Sequence, residues 1–286
     1  MNSVIKKIVM SRPYSWAGII LLGILANILV NNGLFLGSGI LIDVSTAFIA
    51  WIAATSIVEF FHRKIDGRGM TSPIFPIFFV AFFIIISVYN NVLTLILIVI
   101  IIVSDVLYSM KIKDCFFSAF SFMIRGVLEV CIFLIILLFH SYYNINEVIP
   151  FIVSIYLFTN SRNLIGDIRD VEFDKYTFPR RFGVTNSYVV AAILALIPVI
   201  IIPNLMITLP IILSLLTIPI VRNAYSLHRI FVLTTIFFYI NYIISILNQS
   251  LILLNILFIG VLLNFTYDSV PRKSNPKSAQ IYNYQK

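Results

Sequence analysis

The sequence predicts an all-α membrane protein, a polytopic transmembrane bundle of nine or ten helices, on three observations. First, the composition is 60% hydrophobic and only 11% charged, with a mean hydropathy of +1.02, where soluble chains carry roughly 25% charged residues. Second, the apolar residues come in runs of span length separated by turn signals. Third, Lys and Arg fall in every second connection between those runs. A core buried in water could not use so much apolar sequence, whereas in lipid a helix satisfies its own backbone hydrogen bonds and turns its apolar side chains outward.

A span takes about 20 mostly apolar residues. On that measure helices are expected at 14–31, 39–61, 73–89, 92–110, 115–139, 147–165, 185–203, 205–221, 229–247 and 250–266. The first follows Lys6, Lys7 and Arg12 without a small-x-small cleavage pattern after it, so it reads as an uncleaved helix rather than a signal peptide. Asn90-Asn91 divides the third span from the fourth, and Pro203-Asn204 the seventh from the eighth. The fifth holds Cys115 and Cys131, which say nothing of a disulfide from one helix, and it carries Arg125 and Glu129 at i and i+4. An Arg125–Glu129 pair would neutralise itself there; equally, such intramembrane charges, with Asp105 one turn before Tyr108, would mark a functional cavity. Asp43 is expected at the membrane interface, and His140 and His228 at helix ends as satisfied or wetted side chains. One transmembrane domain covers 1–266, followed by a polar cytoplasmic tail, 267–286.

Ten spans put both termini on one side, and the charges fit that topology. Lys6, Lys7 and Arg12 precede the first span; Arg63, Lys64 and Arg68 follow the second; Lys111 and Lys113 follow the fourth. Arg162, Arg169, Lys175, Arg180 and Arg181 surround the end of the sixth, Arg222 and Arg229 flank the loop after the eighth, and Arg272, Lys273, Lys277 and Lys286 lie in the tail. The opposite connections, such as Asn31 to Gly39 and Asn248 to Ser250, have no Lys or Arg. The basic face, with the N-terminus, is therefore expected in the cytoplasm. The net charge of +8 is parcelled out between apolar runs and not gathered on a soluble domain, which argues against nucleic acid as a partner.

The segment 160–183, NSRNLIGDIRDVEFDKYTFPRRFG, concentrates Asp167, Asp170, Glu172 and Asp174 among five basic residues. On a helix Asp167, Asp170 and Asp174 fall at i, i+3 and i+7, one face. Carboxylates so placed repel unless a cation sits among them, and hard oxygen ligands suit Mg²⁺ completed by substrate phosphates. Neighbouring Arg and Lys would take the remaining charge of a diphosphate. The plainer alternative is a solvated loop laced with local ion pairs. A related spacing, Glu59-x-x-His62-x-x-x-Asp66, ends the second span, and Tyr108-Ser109 after the fourth is echoed by Tyr225-Ser226 after the eighth. A four-helix unit used twice would explain both echoes.

These residues resemble the UbiA superfamily of intramembrane prenyltransferases. Arg162, Asp167, Asp170 and Asp174 match its second aspartate-rich motif, and Thr177, Pro179 and Gly183 match the Thr-Leu-Pro-x-x-x-Gly element that closes it. YSMKIKD resembles the family's Tyr-x-x-x-x-Lys segment through Tyr108 and Lys113, FHRKID the end of its first motif, and SRPYSW its usual start. The resemblance runs from about residue 10 to 200. The first motif departs from the pattern: Val58, Glu59 and His62 stand where the family has Asn, Asp and Asp, leaving Glu59 and Asp66 as acids. Ser72-Pro73 replaces an Arg-Pro pair, so Arg68 would have to supply that phosphate contact.

The resemblance implies a transferase that moves a prenyl group from a polyprenyl diphosphate to a lipophilic acceptor in the membrane. It implies Mg²⁺ held by Asp167, Asp170, Asp174, Glu59 and Asp66, and diphosphate contacts from Lys113, Tyr108, Arg162, Arg68 and Arg180. Some of the 25 Phe and 14 Tyr would face an allylic cation, although aromatic residues in membrane helices mostly serve packing. A second enzyme reading on the same fold transfers a phosphoribosyl group to a polyprenyl phosphate. A third is a transporter or lipid-binding protein, but transporters put ionisable groups near the midplane, and here most acids cluster at one face.

Overall fold

The structure is a computed structural model that describes residues 13–31, 37–66, 92–109, 114–140, 144–172, 174, 176–221 and 223–269. Among these residues there are eleven helices and no strand: α1 (Pro13–Val30), α2 (Gly37–Asp66), α3 (Val92–Ser109), α4 (Phe116–Ala119), α5 (Ser121–Phe139), α6 (Ile145–Arg169), α7 (Phe178–Phe182), α8 (Val184–Ile201), α9 (Leu205–Thr217), α10 (Ala224–Ile246) and α11 (Ile252–Ser269). Five are long and apolar enough to cross a membrane, namely α3, α5, α6 over Val148–Arg169, α8 and α10, and α1, α2, α9 and α11 carry shorter apolar stretches. The protein is a polytopic helical membrane bundle. The helix expected at 73–89 lies outside the described residues.

Local chemistry sets several boundaries differently from hydropathy. The run expected as one helix over 115–139 breaks at Phe120 (φ −103°, ψ 12°), which divides α4 from α5. Asn204 caps α9 by accepting from the backbone N–H of Met206 at 3.0 Å and Ile207 at 3.4 Å. Asn223 does the same for α10 through Tyr225 N–H at 2.9 Å, so α10 starts at Ala224 and not at 229. The Tyr225-Ser226 pair therefore opens a helix, while Tyr108-Ser109 closes one. Between α7 and α8, Gly183 takes φ 90°, a backbone conformation that side-chain-bearing residues rarely adopt, and lets two helices join without a longer loop.

The long helices form a ring in which α1, α2, α3, α5, α6, α8, α9 and α10 pack in sequence and α10 returns against α1. Further packing of α10 on α6, and of α1 and α2 on α5, fills the middle, while α11 lies outside on α9 and α10. The buried core where α5, α6 and α10 meet is aromatic: Phe151 and Tyr242 stand 4.1 Å apart between centroids, and Phe158 stacks on Phe231 at 5.6 Å. Polar contacts tie the helices where small apolar packing ends. Asn241 donates to Asn255 Oδ1 at 3.0 Å and to the Met206 carbonyl at 2.9 Å, and Asn255 donates to that same carbonyl at 3.1 Å, which fastens α11 to α9 and α10.

Asp43 is buried, at 1% exposure. Its carboxylate accepts from Asn27 Nδ2 at 2.8 Å and pairs with His140 Nε2 at 2.7 Å, which joins α1, α2 and α5 at one end of the bundle. His140 is thus a satisfied helix-end histidine, as its position predicted.

Candidate active site

At the other end, the C-terminal parts of α3 and α6 and the N-terminal parts of α1, α5 and α10 surround a cleft. Ile19 and Trp51 give it an apolar wall from α1 and α2; the polar residues come from α3, α5, α6 and α10. They lie at two depths. By their positions along the helices, Arg169, Asp170 and His228 stand nearer the mouth, and Glu129, Arg162 and Thr235 nearer the floor. Along α6 the step from Arg162 to Asp170 is about 12 Å at helical rise.

Helix α6 ends at Arg169, so the three aspartates do not share one helical face as their spacing suggested. Asp167 is on the last turn, 3% exposed and lining the cleft. Asp170 is the C-cap and also lines the cleft; Arg169 donates to both its oxygens, Nε to Oδ1 at 2.7 Å and Nη2 to Oδ2 at 2.5 Å. Asp174 is buried in the following turn, away from the cleft lining, its N–H bonded to the Asp170 carbonyl at 2.9 Å. The turn then leads into α7, whose N-cap is Thr177 and whose second residue is Pro179.

Arg169 also faces His228 Nδ1 at 3.3 Å and lies over the Tyr225 ring at 5.6 Å. A guanidinium only donates, so Nδ1 accepts and a neutral His228 carries its proton on Nε2. Glu129 and Arg125 do not pair with each other along α5. Glu129 Oε1 accepts from Arg162 Nη2 at 2.5 Å, and Glu129 Oε2 accepts from Thr159 Oγ1 at 2.8 Å and Tyr239 OH at 2.7 Å. Arg125 instead faces Asp105 at 3.8 Å and stacks over Tyr108 at 5.4 Å. The four charges thus make two cross-helix pairs, α5 to α6 and α5 to α3, which is how ionisable groups are tolerated at membrane depth.

Of the residues singled out from sequence, Asp167, Asp170, Tyr108 and Arg162 come together in this cleft. Arg180 is exposed on α7 and stands apart from the cleft lining; its neighbour Arg181 pairs with Asp114. Glu59 and Asp66 lie on the last two turns of α2, with side chains outside the described residues; Lys113 and Arg68 are outside them altogether. Among the described residues no three His, Cys, Asp or Glu side chains stand close enough to hold a metal ion between them. Asp167 and Asp170 give two carboxylates at the mouth, a donor set that suits Mg²⁺ only if substrate phosphates and water complete the shell. His228, Thr235 and Trp51 were not legible as site residues, because each is brought to the cleft by packing between helices distant in sequence.

No protein-family model matches the sequence, and no curated protein matches it either. Among solved structures, a digeranylgeranylglyceryl phosphate synthase of membranes superposes with a TM-score of 0.60 at 18% identity, over 87% of this chain and 100% of the other. The likeness is one of fold. This chain shares its fold with that membrane protein over the matched 87%.

Proposed function

We propose that the protein is an intramembrane transferase of UbiA type that moves a prenyl group from a polyprenyl diphosphate to a lipophilic acceptor with the help of Mg²⁺. The observation that carries this reading is the cleft: a polar mouth bearing Asp167 and Asp170, directly joined to an apolar wall inside a membrane bundle. A substrate with a charged head and a lipid tail has those two requirements. The fold shared with a synthase named for digeranylgeranylglyceryl phosphate supports it, as does the second aspartate-rich motif.

In this reading Asp167 and Asp170 would hold the metal, with Glu59, Asp66 and Asp174 as the remaining acids of the family set. Bound there, Mg²⁺ supplies Lewis-acid stabilisation of the leaving diphosphate. Arg162 and Arg169 attract the diphosphate, and Lys113, Arg68 and Arg180 are the further contacts that the family pattern implies. Trp51 and Tyr108 offer aromatic faces to the prenyl chain and keep water from it. The same reading puts the mouth and the N-terminus on the cytoplasmic side.

The test is diphosphate release by purified protein from geranylgeranyl diphosphate with candidate acceptors and Mg²⁺. Asp167→Asn and Asp170→Asn are each expected to slow release by about 100-fold or more, and chelation to abolish it until Mg²⁺ is restored. Full activity in both variants, or no release with any acceptor, removes the proposal. The altered first motif, with Val58, Glu59 and His62, leaves room for the phosphoribosyl reading as the alternative. Turnover of phosphoribosyl diphosphate with a polyprenyl phosphate, and none of geranylgeranyl diphosphate, would establish it instead.

A further inference from the structure

We infer that Glu129 is a positioning residue, whose carboxylate fixes the plane of the Arg162 guanidinium so that the arginine addresses the diphosphate of a bound substrate; this rests on the transferase reading above. Glu129 belongs to no motif of the sequence. Its two oxygens receive three hydrogen bonds, from Arg162 at 2.5 Å, Tyr239 at 2.7 Å and Thr159 at 2.8 Å. Arg162 is held from its other end as well, Nη1 donating to Thr235 Oγ1 at 3.2 Å. One terminal nitrogen is therefore fixed from α5 and the other from α10, and a planar guanidinium held at both has lost its last rotations.

Neutralising a buried charge needs less than this. Among the described residues, Arg125, one turn earlier on α5, has Asp105 at 3.8 Å and the ring of Tyr108 beneath it. The Glu129 network adds directional hydrogen bonds from two further helices, and Glu129, Arg162 and Thr235 all line the cleft. An ion pair without net charge is tolerated at this depth. A donor group of fixed direction binds an anion without reorganising, which a mobile cation does not. Tyr239 is 1% exposed and reaches Glu129 from behind, so it sets the carboxylate and does not meet substrate.

The experiment compares equilibrium binding of geranylgeranyl thiodiphosphate and of neutral geranylgeraniol to the full chain in nanodiscs. Wild type, Glu129→Gln, Tyr239→Phe, Arg162→Met and the Glu129→Gln/Arg162→Met double variant are measured. Glu129→Gln is expected to weaken thiodiphosphate binding about tenfold or more while leaving geranylgeraniol within about twofold, as loss of a charge-assisted contact demands. Tyr239→Phe is expected to give a smaller loss with the same selectivity, and it decides the matter if Glu129→Gln does not fold. In the Arg162→Met background, Glu129→Gln is expected to cost nothing further, because the two act as one unit. Unchanged thiodiphosphate binding in a folded variant, or equal loss of both ligands, overturns the positioning role. Failure of the transferase reading looks different: the wild type itself would show no preference for thiodiphosphate over the alcohol, and the inference would fall with it.

Discussion

Asp43 shows how much a single buried carboxylate does in this bundle. It is fully enclosed, and its two oxygens face donors from two other helices, Asn27 Nδ2 and His140 Nε2. Ordinary interhelical hydrogen bonds in membranes average about 0.6 kcal/mol, but stranding buried donors beside a lost anion costs more, about 3 kcal/mol. Asp43→Leu is therefore expected to lower the unfolding free energy in detergent by about 3 kcal/mol. Asp43→Asn keeps an acceptor and is expected to cost about 1 kcal/mol. Thermal and denaturant unfolding of the two variants separates these values, and equal losses would mean that shape, not hydrogen bonding, is what Asp43 supplies. The sequence did not reveal what this residue bonds, because hydropathy scores each position alone. Its two partners are 16 and 97 residues away, and only the packing of α1, α2 and α5 assembles them.

At the scale of elements, α5 packs tightly on α6 at Gly126. A Cβ there would come within 2.6 Å of the Tyr156 carbonyl oxygen and of Asn160 Oδ1, the latter already accepting from the Gly126 N–H at 2.9 Å. Gly→Ala in a helix ordinarily gains about 1 kcal/mol of propensity. Forcing backbone against backbone costs about 3 kcal/mol, so the clash wins. Gly126→Ala is expected to lower the melting temperature and, by prising α5 from α6 within one turn of Glu129, to weaken diphosphate binding as well. A melting temperature unchanged or raised would show that the helices separate freely.

The same contact explains which parts of the elements were legible in sequence. The described helices other than the short α4 and α7 fall about where hydropathy put them, because an apolar run long enough for lipid is a property of the segment alone. Their ends moved wherever a cap decided, as Asn223 did for α10. Pairing failed for a different reason. Arg125 and Glu129 have the spacing of a local ion pair, yet α5 turns one toward α3 and the other toward α6, where Asp105 and Arg162 are stronger claims. The acidic motif was visible as a string, but the end of α6 at Arg169 splits it, leaving Asp167 and Asp170 in the cleft and Asp174 beyond the turn.

For the whole molecule, one asymmetry organises the rest: the cleft opens at the end of the bundle where the basic connections lie. Positive charge in short loops orients a membrane protein toward the cytoplasm, so orientation and site location make one claim that is testable without knowing the substrate. The chain carries its own probes. Cys115 precedes α4 at the cleft end, half-buried, its carbonyl accepting from Arg181 at 3.3 Å, while Cys131 is buried within α5. Gln249 is exposed in the turn before α11, at the opposite end. A membrane-impermeant maleimide is expected to spare the wild type in intact cells and to label Cys115 once the membrane is opened, with Cys131 silent until denaturation. Gln249→Cys in a Cys115→Ser background is expected to label in intact cells. The reverse pattern would place the acidic mouth outside, and a diphosphate made in the cytoplasm would then have no path to Asp167 and Asp170. Transferase chemistry at this cleft therefore requires the first pattern, and the labelling result bears on function as directly as on topology.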